Sequence, residues 1–129
     1  MSITKKDVGD FGEKACAKYV KRLGFKILAR NVTIGKLETD IIATNKTHIL
    51  FIEVKTRRID KNNLTRPSDA VNSSKKNNLL NFAYYYLKTL PEKHASKQPR
   101  MDVCEISVEL VGKKLSVRDL NYIENAFSR

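Results

Sequence analysis

The spacing of hydrophobic residues divides the chain into segments of helical and of strand type. Apolar positions recurring every three to four residues predict helices at residues 7–23, 73–90 and about 118–128. Alternating or β-branched runs predict strands at residues 25–32, 37–44, 47–55, 100–111 and 114–117. The order α-β-β-β-α-β-β-α is that of an α/β layered domain, with a central mixed sheet of about five strands flanked by helices.

The length of 129 residues sets the expected domain organisation. We expect one domain over residues 1–129, with a core of about 7–118 and a C-terminal helix of about 118–128. Such a chain buries enough surface to fold without cross-links, so Cys16 and Cys104 are expected to be reduced core residues.

The second and third predicted strands form a hairpin whose two faces differ. If Asn45 and Lys46 make a two-residue turn, paired positions sum to 91, so Glu38 faces Glu53 and Asp40 faces Phe51. Alternation then makes one face purely apolar, with Ile41, Ala43, Leu50, Ile52 and Val54. The other face carries Glu38, Asp40, Ile42, Ile49, Phe51, Glu53 and Lys55. Since both faces hold large apolar residues, the hairpin is expected to be central and covered on both sides.

The carboxylates on this covered face require a cation. Asp40 and Glu53 would be diagonal neighbours about 7–8 Å apart, where two like charges repel by about 2 kcal/mol at an effective dielectric constant of 20. Lys55 supplies one positive charge, and a histidine-free oxygen cluster favours Mg²⁺ or Mn²⁺ over zinc. An aspartate followed by Glu-x-Lys indicates metal-assisted phosphodiester hydrolysis, although an ordinary salt bridge also explains Glu-x-Lys alone.

Two glycines in the first helix point to a further acidic residue. Gly9 and Gly12 each cost a helix about 1 kcal/mol relative to alanine, and close approach to a neighbouring element is the usual reason for such glycines. That approach would bring the Glu13 carboxylate against whatever the helix packs on.

The charge balance indicates the class of partner. The chain carries 25 Lys and Arg against 14 Asp and Glu, a net charge of +11. This favours a polyanion, with DNA preferred to RNA, although a merely basic protein remains an alternative. No apolar run approaches the roughly 20 residues that span a bilayer, and no signal core follows Met1, so we expect a cytoplasmic protein without a membrane partner.

The ordered set of motifs resembles a known family. These motifs are Gly9-x-x-Gly12-Glu13, Asn31, Glu38-x-Asp40-Ile41-Ile42-Ala43, Phe51-Ile52-Glu53-Val54-Lys55-Thr56-Arg57, Ala70-Val71 with Lys75, and Arg100-x-Asp102-Val103. They are similar to the YraN-like family of small bacterial proteins, which is grouped with Holliday junction resolvases. The resemblance implies the restriction-endonuclease-like fold, with catalytic Asp40, Glu53 and Lys55 and a Mg²⁺ site of Asp40, Glu53 and Glu13. Leu37 and Thr39 depart from the family pattern around Glu38, which is an auxiliary acid.

Basic residues near the predicted site are candidates for binding nucleic acid. Arg57, Arg58 and Arg66 follow the Glu-x-Lys strand and are assigned to a basic loop that could track a phosphate backbone or simply be solvated. Lys75, in the first turn of its helix, could contact phosphate or extend into solvent. Arg100 and Asp102 are interpreted as a structural ion pair.

Three hypotheses of function follow from the sequence. The leading one is a Mg²⁺-dependent or Mn²⁺-dependent nuclease acting on DNA, with branched or single-stranded DNA as the candidate substrate. The alternatives are a non-catalytic nucleic-acid-binding module of the same fold and a protein-interaction adaptor. The resolvase resemblance also suggests a homodimer.

Overall fold

The computed structural model describes residues 2–59 and 73–126, and for residues 73–76 it describes the backbone only. The helices are α1 (Lys5–Arg22) and α2 (Ser73–Leu87), followed by a short 3₁₀ helix (Glu92–His94). The strands are β1 (Lys26–Ile34), β2 (Leu37–Thr44), β3 (His48–Arg58), β4 (Gln98–Val111) and β5 (Lys114–Ile123). They form one sheet in the order β1-β2-β3-β4-β5, in which only β3 and β4 are parallel. The predicted α/β class and mixed five-stranded sheet are confirmed.

The helices cover opposite faces of the sheet. α1 begins at a Thr4 capping box and buries its apolar stripe, and α2 buries Leu79, Phe82 and Ala83. Residues packed on the α1 side include Ile41, Ala43, Leu50, Ile52 and Val54. Those packed on the α2 side include Ile42, Ile49 and Phe51. The predicted faces of the hairpin are therefore confirmed for these apolar residues. Among the described residues, neither helix is long and apolar enough to cross a membrane.

The predicted register of the hairpin is wrong by two residues. Observed pairs run from Ile41 opposite Ile52 to Thr44 opposite Ile49, so paired positions sum to 93. The turn is longer because Asn45 Oδ1 accepts hydrogen bonds from the backbone N–H groups of Thr47 (2.9 Å) and His48 (2.7 Å). Since side chains alternate with a period of two, a shift of two leaves the apolar residues of the hairpin on their predicted faces.

The predicted C-terminal helix is also wrong within the described residues. Residues 114–123 form β5, and residues 124–126 form a turn, while residues 127–129 lie outside the described part. β5 pairs with β4, but the register shifts between Ser107 and Val108, opposite Asp119 and Val117. Leu120 and Tyr122, two residues apart, pack against the same core cluster, and Ala126 lies in the turn after β5, so the residues of the predicted helical stripe do not share one face.

The buried Asp102 ties the end of β5 to the sheet. Its carboxylate accepts hydrogen bonds from Arg100 Nε (2.9 Å) and from the Tyr122 hydroxyl (2.6 Å). The backbone N–H of Asn125 donates to the same carboxylate at 2.8 Å. The predicted ion pair between Arg100 and Asp102 is confirmed, and its role is structural. Cys16 and Cys104 are buried and free, as predicted.

The close approach predicted for α1 occurs at Gly12. A Cβ atom at this position would lie 1.8 Å from Thr56 Oγ1 and 2.7 Å from Thr56 Cβ, whereas one at Gly9 would meet nothing within 4 Å. Gly12 therefore lets the helix rest directly on β3, and this contact joins the residue before Glu13 to the residue after Lys55.

The two glycines give a matched pair of substitutions. Gly12→Ala should lower the free energy of unfolding by about 1–3 kcal/mol, because the added methyl overlaps Thr56. Gly9→Ala should raise it by about 1 kcal/mol through helix propensity alone. Urea denaturation of both variants measures the difference. The added variant Gly12→Ala/Thr56→Gly should recover part of the loss, and equal effects at the two glycines would contradict the contact.

Candidate functional site

The site lies where the pairing of β2 with β3 stops. The last observed pair is Ile41 with Ile52, and continuing the register by one position sets Asp40 opposite Glu53. Instead of a regular ladder, the backbone N–H of Val54 donates to Asp40 Oδ2 at 2.8 Å. The aspartate thus satisfies a backbone donor at the point where the two strands part.

A cavity of about 690 Å³ opens beside this point, between α1 and β3. Its lining includes Glu13, Asp40 and Lys55, three of the residues predicted from the sequence to form the site. Arg58 and the first turns of α1, with Lys5 and Lys6, continue the lining. Acidic and basic side chains therefore share one concave surface.

The remaining predicted acids border a second cavity. Glu38 and Glu53 line a space of about 150 Å³ together with Lys36 and Asn78, on the side of the sheet that α2 covers. The structure thus distributes the predicted cluster over both sides of the sheet at the gap between β2 and β3.

The pKa of Asp40 depends on all of these acidic neighbours. Burial raises the pKa of its carboxyl group, the negative charge of Glu53 raises it further, and Glu13 and Glu38 add to the effect. The hydrogen bond from the Val54 N–H acts in the opposite direction, and the resulting pKa is about 7. The positive charge around Asp40 is therefore insufficient to keep its carboxylate fully ionised at neutral pH.

Glu13 is held by two donors that sequence reasoning did not assign to it. The residue is 8% exposed, and its Oε1 accepts hydrogen bonds from Arg30 Nε (3.0 Å) and Asn31 Nδ2 (2.9 Å). Asn31 entered the sequence analysis only as part of a family motif, and Arg30 did not enter it. No hydrophobic or charge pattern in β1 marks either residue as a partner of the helix.

The predicted basic residues are only partly described. Arg57 and Arg58 belong to the end of β3 and not to the loop predicted for them, because β4 continues beside them and pairs with both. Lys75 falls in the first turn of α2 as predicted, but its side chain lies outside the described side chains. Arg66 lies outside the described residues altogether.

The donors at this site fit a hard divalent cation with few protein ligands. In the described ranges, no group of three or more carboxylate, histidine or cysteine side chains is arranged to hold a metal by itself. Mg²⁺, however, is usually bound through one or two carboxylates, with water and substrate phosphate completing its shell. Asp40 and Glu53 as such a pair, and the three-ligand site that includes Glu13, both stay predictions.

Comparison with known proteins identifies the family. Residues 12–106 match the family described as "Uncharacterised protein family UPF0102". The chain belongs to this family. UPF0102 is the YraN-like group, so the resemblance found in the sequence is confirmed. The matched region contains Glu13, Asn31, Asp40, Glu53 and Lys55.

The UPF0102 relatives are similar over nearly their whole length. A UPF0102 protein of Caldanaerobacter subterraneus subsp. tengcongensis is 39% identical over 125 residues, which cover 97% of this chain and 98% of that protein. One from Clostridium acetobutylicum is 40% identical over 122 residues, covering 95% and 94%. One from Caldicellulosiruptor saccharolyticus is 35% identical over 125 residues, covering 97% and 100%.

The raised pKa of Asp40 predicts how the stability of this UPF0102 protein depends on pH. The folded state binds the proton more tightly than the unfolded state, whose carboxyl has the ordinary pKa of 3.8. The stabilisation from protonated Asp40 is therefore complete below about pH 4 and is lost as the pH rises through about 7. Asp40→Asn keeps an acceptor for the Val54 N–H but has no carboxyl group that titrates. Its folding stability should therefore not show this fall with rising pH.

Urea denaturation at pH 5 and pH 8 without divalent cations tests this prediction. The free energy of unfolding of wild type, relative to that of Asp40→Asn, should fall by about 2 kcal/mol between the two pH values, a figure reduced for the partial exposure of the carboxylate. Parallel pH profiles of the two proteins would show that Asp40 ionises without penalty.

Proposed function

We propose that this protein is a nuclease that hydrolyses DNA phosphodiester bonds with the help of Mg²⁺ or Mn²⁺. The observation that supports this most strongly is the environment of Asp40. A half-buried carboxylate lies at the position that continues the register opposite Glu53, its pKa is raised to about 7, and it lines the same cavity as Lys55. Such a group either keeps its proton or pairs with a cation, and a divalent cation between carboxylates is a common means of activating a phosphodiester.

In this proposal, each residue of the site has a distinct role. Asp40 and Glu53 would hold the metal. When bound, the metal would polarise the phosphate and lower the pKa of a water molecule. Lys55 directs its ammonium group toward the phosphate, where it orients the attacking water and neutralises the charge that develops on the phosphate oxygens. Glu13, positioned by α1, is the auxiliary acid that completes the metal site.

The distribution of basic residues supports a nucleic-acid substrate. Lys5, Lys6 and Arg58 continue the cavity that contains Asp40, and the chain carries a net charge of +11. Phosphate backbones bind such surfaces through release of counterions, independently of base sequence. Arg57 and Arg58 would extend the contact along the end of β3, with Arg66 and Lys75 as further proposed contacts. Branched or single-stranded DNA is the proposed substrate form.

One observation favours a second function, a nucleic-acid-binding module without catalysis. Glu13 is already bound to Arg30 and Asn31, and the described side chains provide no ready-made cage of three ligands. A protein of this kind would bind DNA through its basic residues and need no metal. The two functions differ in whether Asp40 is required for turnover.

Cleavage assays on junction, flap, single-stranded and duplex DNA in Mg²⁺ or Mn²⁺ separate them. Asp40→Asn should reduce the cleavage rate at least about 100-fold, because it removes a metal ligand. The same substitution should leave DNA affinity at low salt unchanged or slightly increased, since it removes a negative charge. Asp119→Asn, an exposed aspartate on β5, is the matched control and should cleave like wild type.

The outcomes of this assay are distinct. Cleavage that persists in Asp40→Asn would exclude Asp40 from the chemistry. Salt-sensitive DNA binding by wild type without cleavage of any substrate would favour the binding module. Absence of salt-sensitive DNA binding would remove nucleic acid as the partner.

A further inference from the structure

Two consecutive residues of β1 reach the same oxygen atom. Arg30 Nε and Asn31 Nδ2 both donate to Glu13 Oε1, at 3.0 and 2.9 Å. In a regular strand, neighbouring side chains point to opposite faces of the sheet, so one of the two would point away from α1. Asn31 has a positive φ of 52°, and this left-handed conformation breaks the alternation. The irregular backbone is therefore what brings both donors to Glu13.

The register sets Asn31 beside the other acid of the cavity. Arg30 pairs with Ile41 and Val32 pairs with Thr39, so the position opposite Asn31 is Asp40. Asn31 thus lies between Glu13 on the helix and Asp40 on β2. The strain occurs at the one position of β1 that adjoins both carboxylates.

The conformation of Asn31 has no separate local explanation. A left-handed asparagine inside a strand is unfavourable and persists only where surrounding interactions impose it. The other non-glycine residue with positive φ in the described ranges, Asn125 (φ 51°), is in a turn and donates its backbone N–H to Asp102. For Asn31, the observed side-chain interaction is the hydrogen bond to Glu13.

We infer that Asn31 is a positioning residue that acts through Glu13, holding Oε1 so that Glu13 presents its other oxygen to the divalent cation. This role rests on the proposed metal-dependent function. Residues that hydrogen-bond to a metal ligand orient it, and their loss usually weakens metal binding without removing a ligand. Arg30 donates to the same oxygen, and its guanidinium balances part of the charge of Glu13.

The experiment compares two glycine substitutions. Asn31→Gly and Asn125→Gly each replace a left-handed asparagine with a residue that adopts this conformation freely, so both should keep the backbone conformation. Loss of the hydrogen bond to Glu13 should lower the melting temperature of Asn31→Gly modestly. Mn²⁺ affinity is then measured by titration calorimetry on the purified full chain, at a temperature where each variant is folded. Asn31→Gly should bind Mn²⁺ about tenfold more weakly, while Asn125→Gly should match wild type. A purely structural role would lower the melting temperature and leave the Mn²⁺ affinity of the folded protein unchanged.

A double-mutant comparison establishes the route of the effect. If Asn31 acts through Glu13, Asn31→Gly should have little further effect on Mn²⁺ affinity in a Glu13→Gln background. Wild-type Mn²⁺ affinity in Asn31→Gly, or additive losses in the double variant, would overturn the positioning role while leaving the proposed function standing. Failure of wild type to bind Mn²⁺ would overturn the proposed function and this role with it.

Discussion

The structure depends on one electrostatic constraint, which is the accumulation of carboxylates at the gap between β2 and β3. Asp40 is held there by the backbone N–H of Val54 and is opposed by the negative charge of Glu53. Burial strengthens the penalty for ionising it, so its pKa rises to about 7. Such a group either keeps its proton or pairs with a cation in the folded state, and the proposed metal is the cation that would connect the fold with the proposed chemistry.

The surrounding elements hold the acids in place from several directions. The contact of Gly12 with Thr56 seats α1 on β3 and so determines how close Glu13 can come to the sheet. The left-handed Asn31 then joins Glu13 to β1. These are rigid elements, because both helices pack on strands that are buried on each face. Among the described residues, the site is therefore assembled by the packing of the sheet and α1.

The sequence predicted those features that depend on periodicity and on glycine. The apolar faces of the hairpin follow from alternation, which is why a register error of two residues left Ile42, Ile49 and Phe51 on the predicted face. Asp40 instead lines the cavity on the α1 side, whereas Glu53 borders the cavity on the α2 side. Gly12 was predicted to mark a close approach because a glycine destabilises a helix and therefore indicates that a neighbouring element packs too closely for a side chain.

Other features depend on interactions that leave no periodic signal. The turn at Asn45 is stabilised by a side chain, and the helical spacing of apolar residues from Leu120 onward continues past the end of β5 into the turn at residues 124–126. Asn31 takes a backbone conformation that the residue type permits but does not require. The partnership of β1 with Glu13 was therefore visible only in three dimensions.

The central claim is tested most directly by the protons released when Mn²⁺ binds. Titration calorimetry at pH 7 in buffers of different ionisation enthalpy should show binding that releases about half a proton per Mn²⁺, because Asp40, with a pKa of about 7, must lose its proton to become a ligand. The release should disappear at pH 9 and the affinity should fall in Glu53→Gln. Binding without proton release at pH 7, or no binding, would contradict the account.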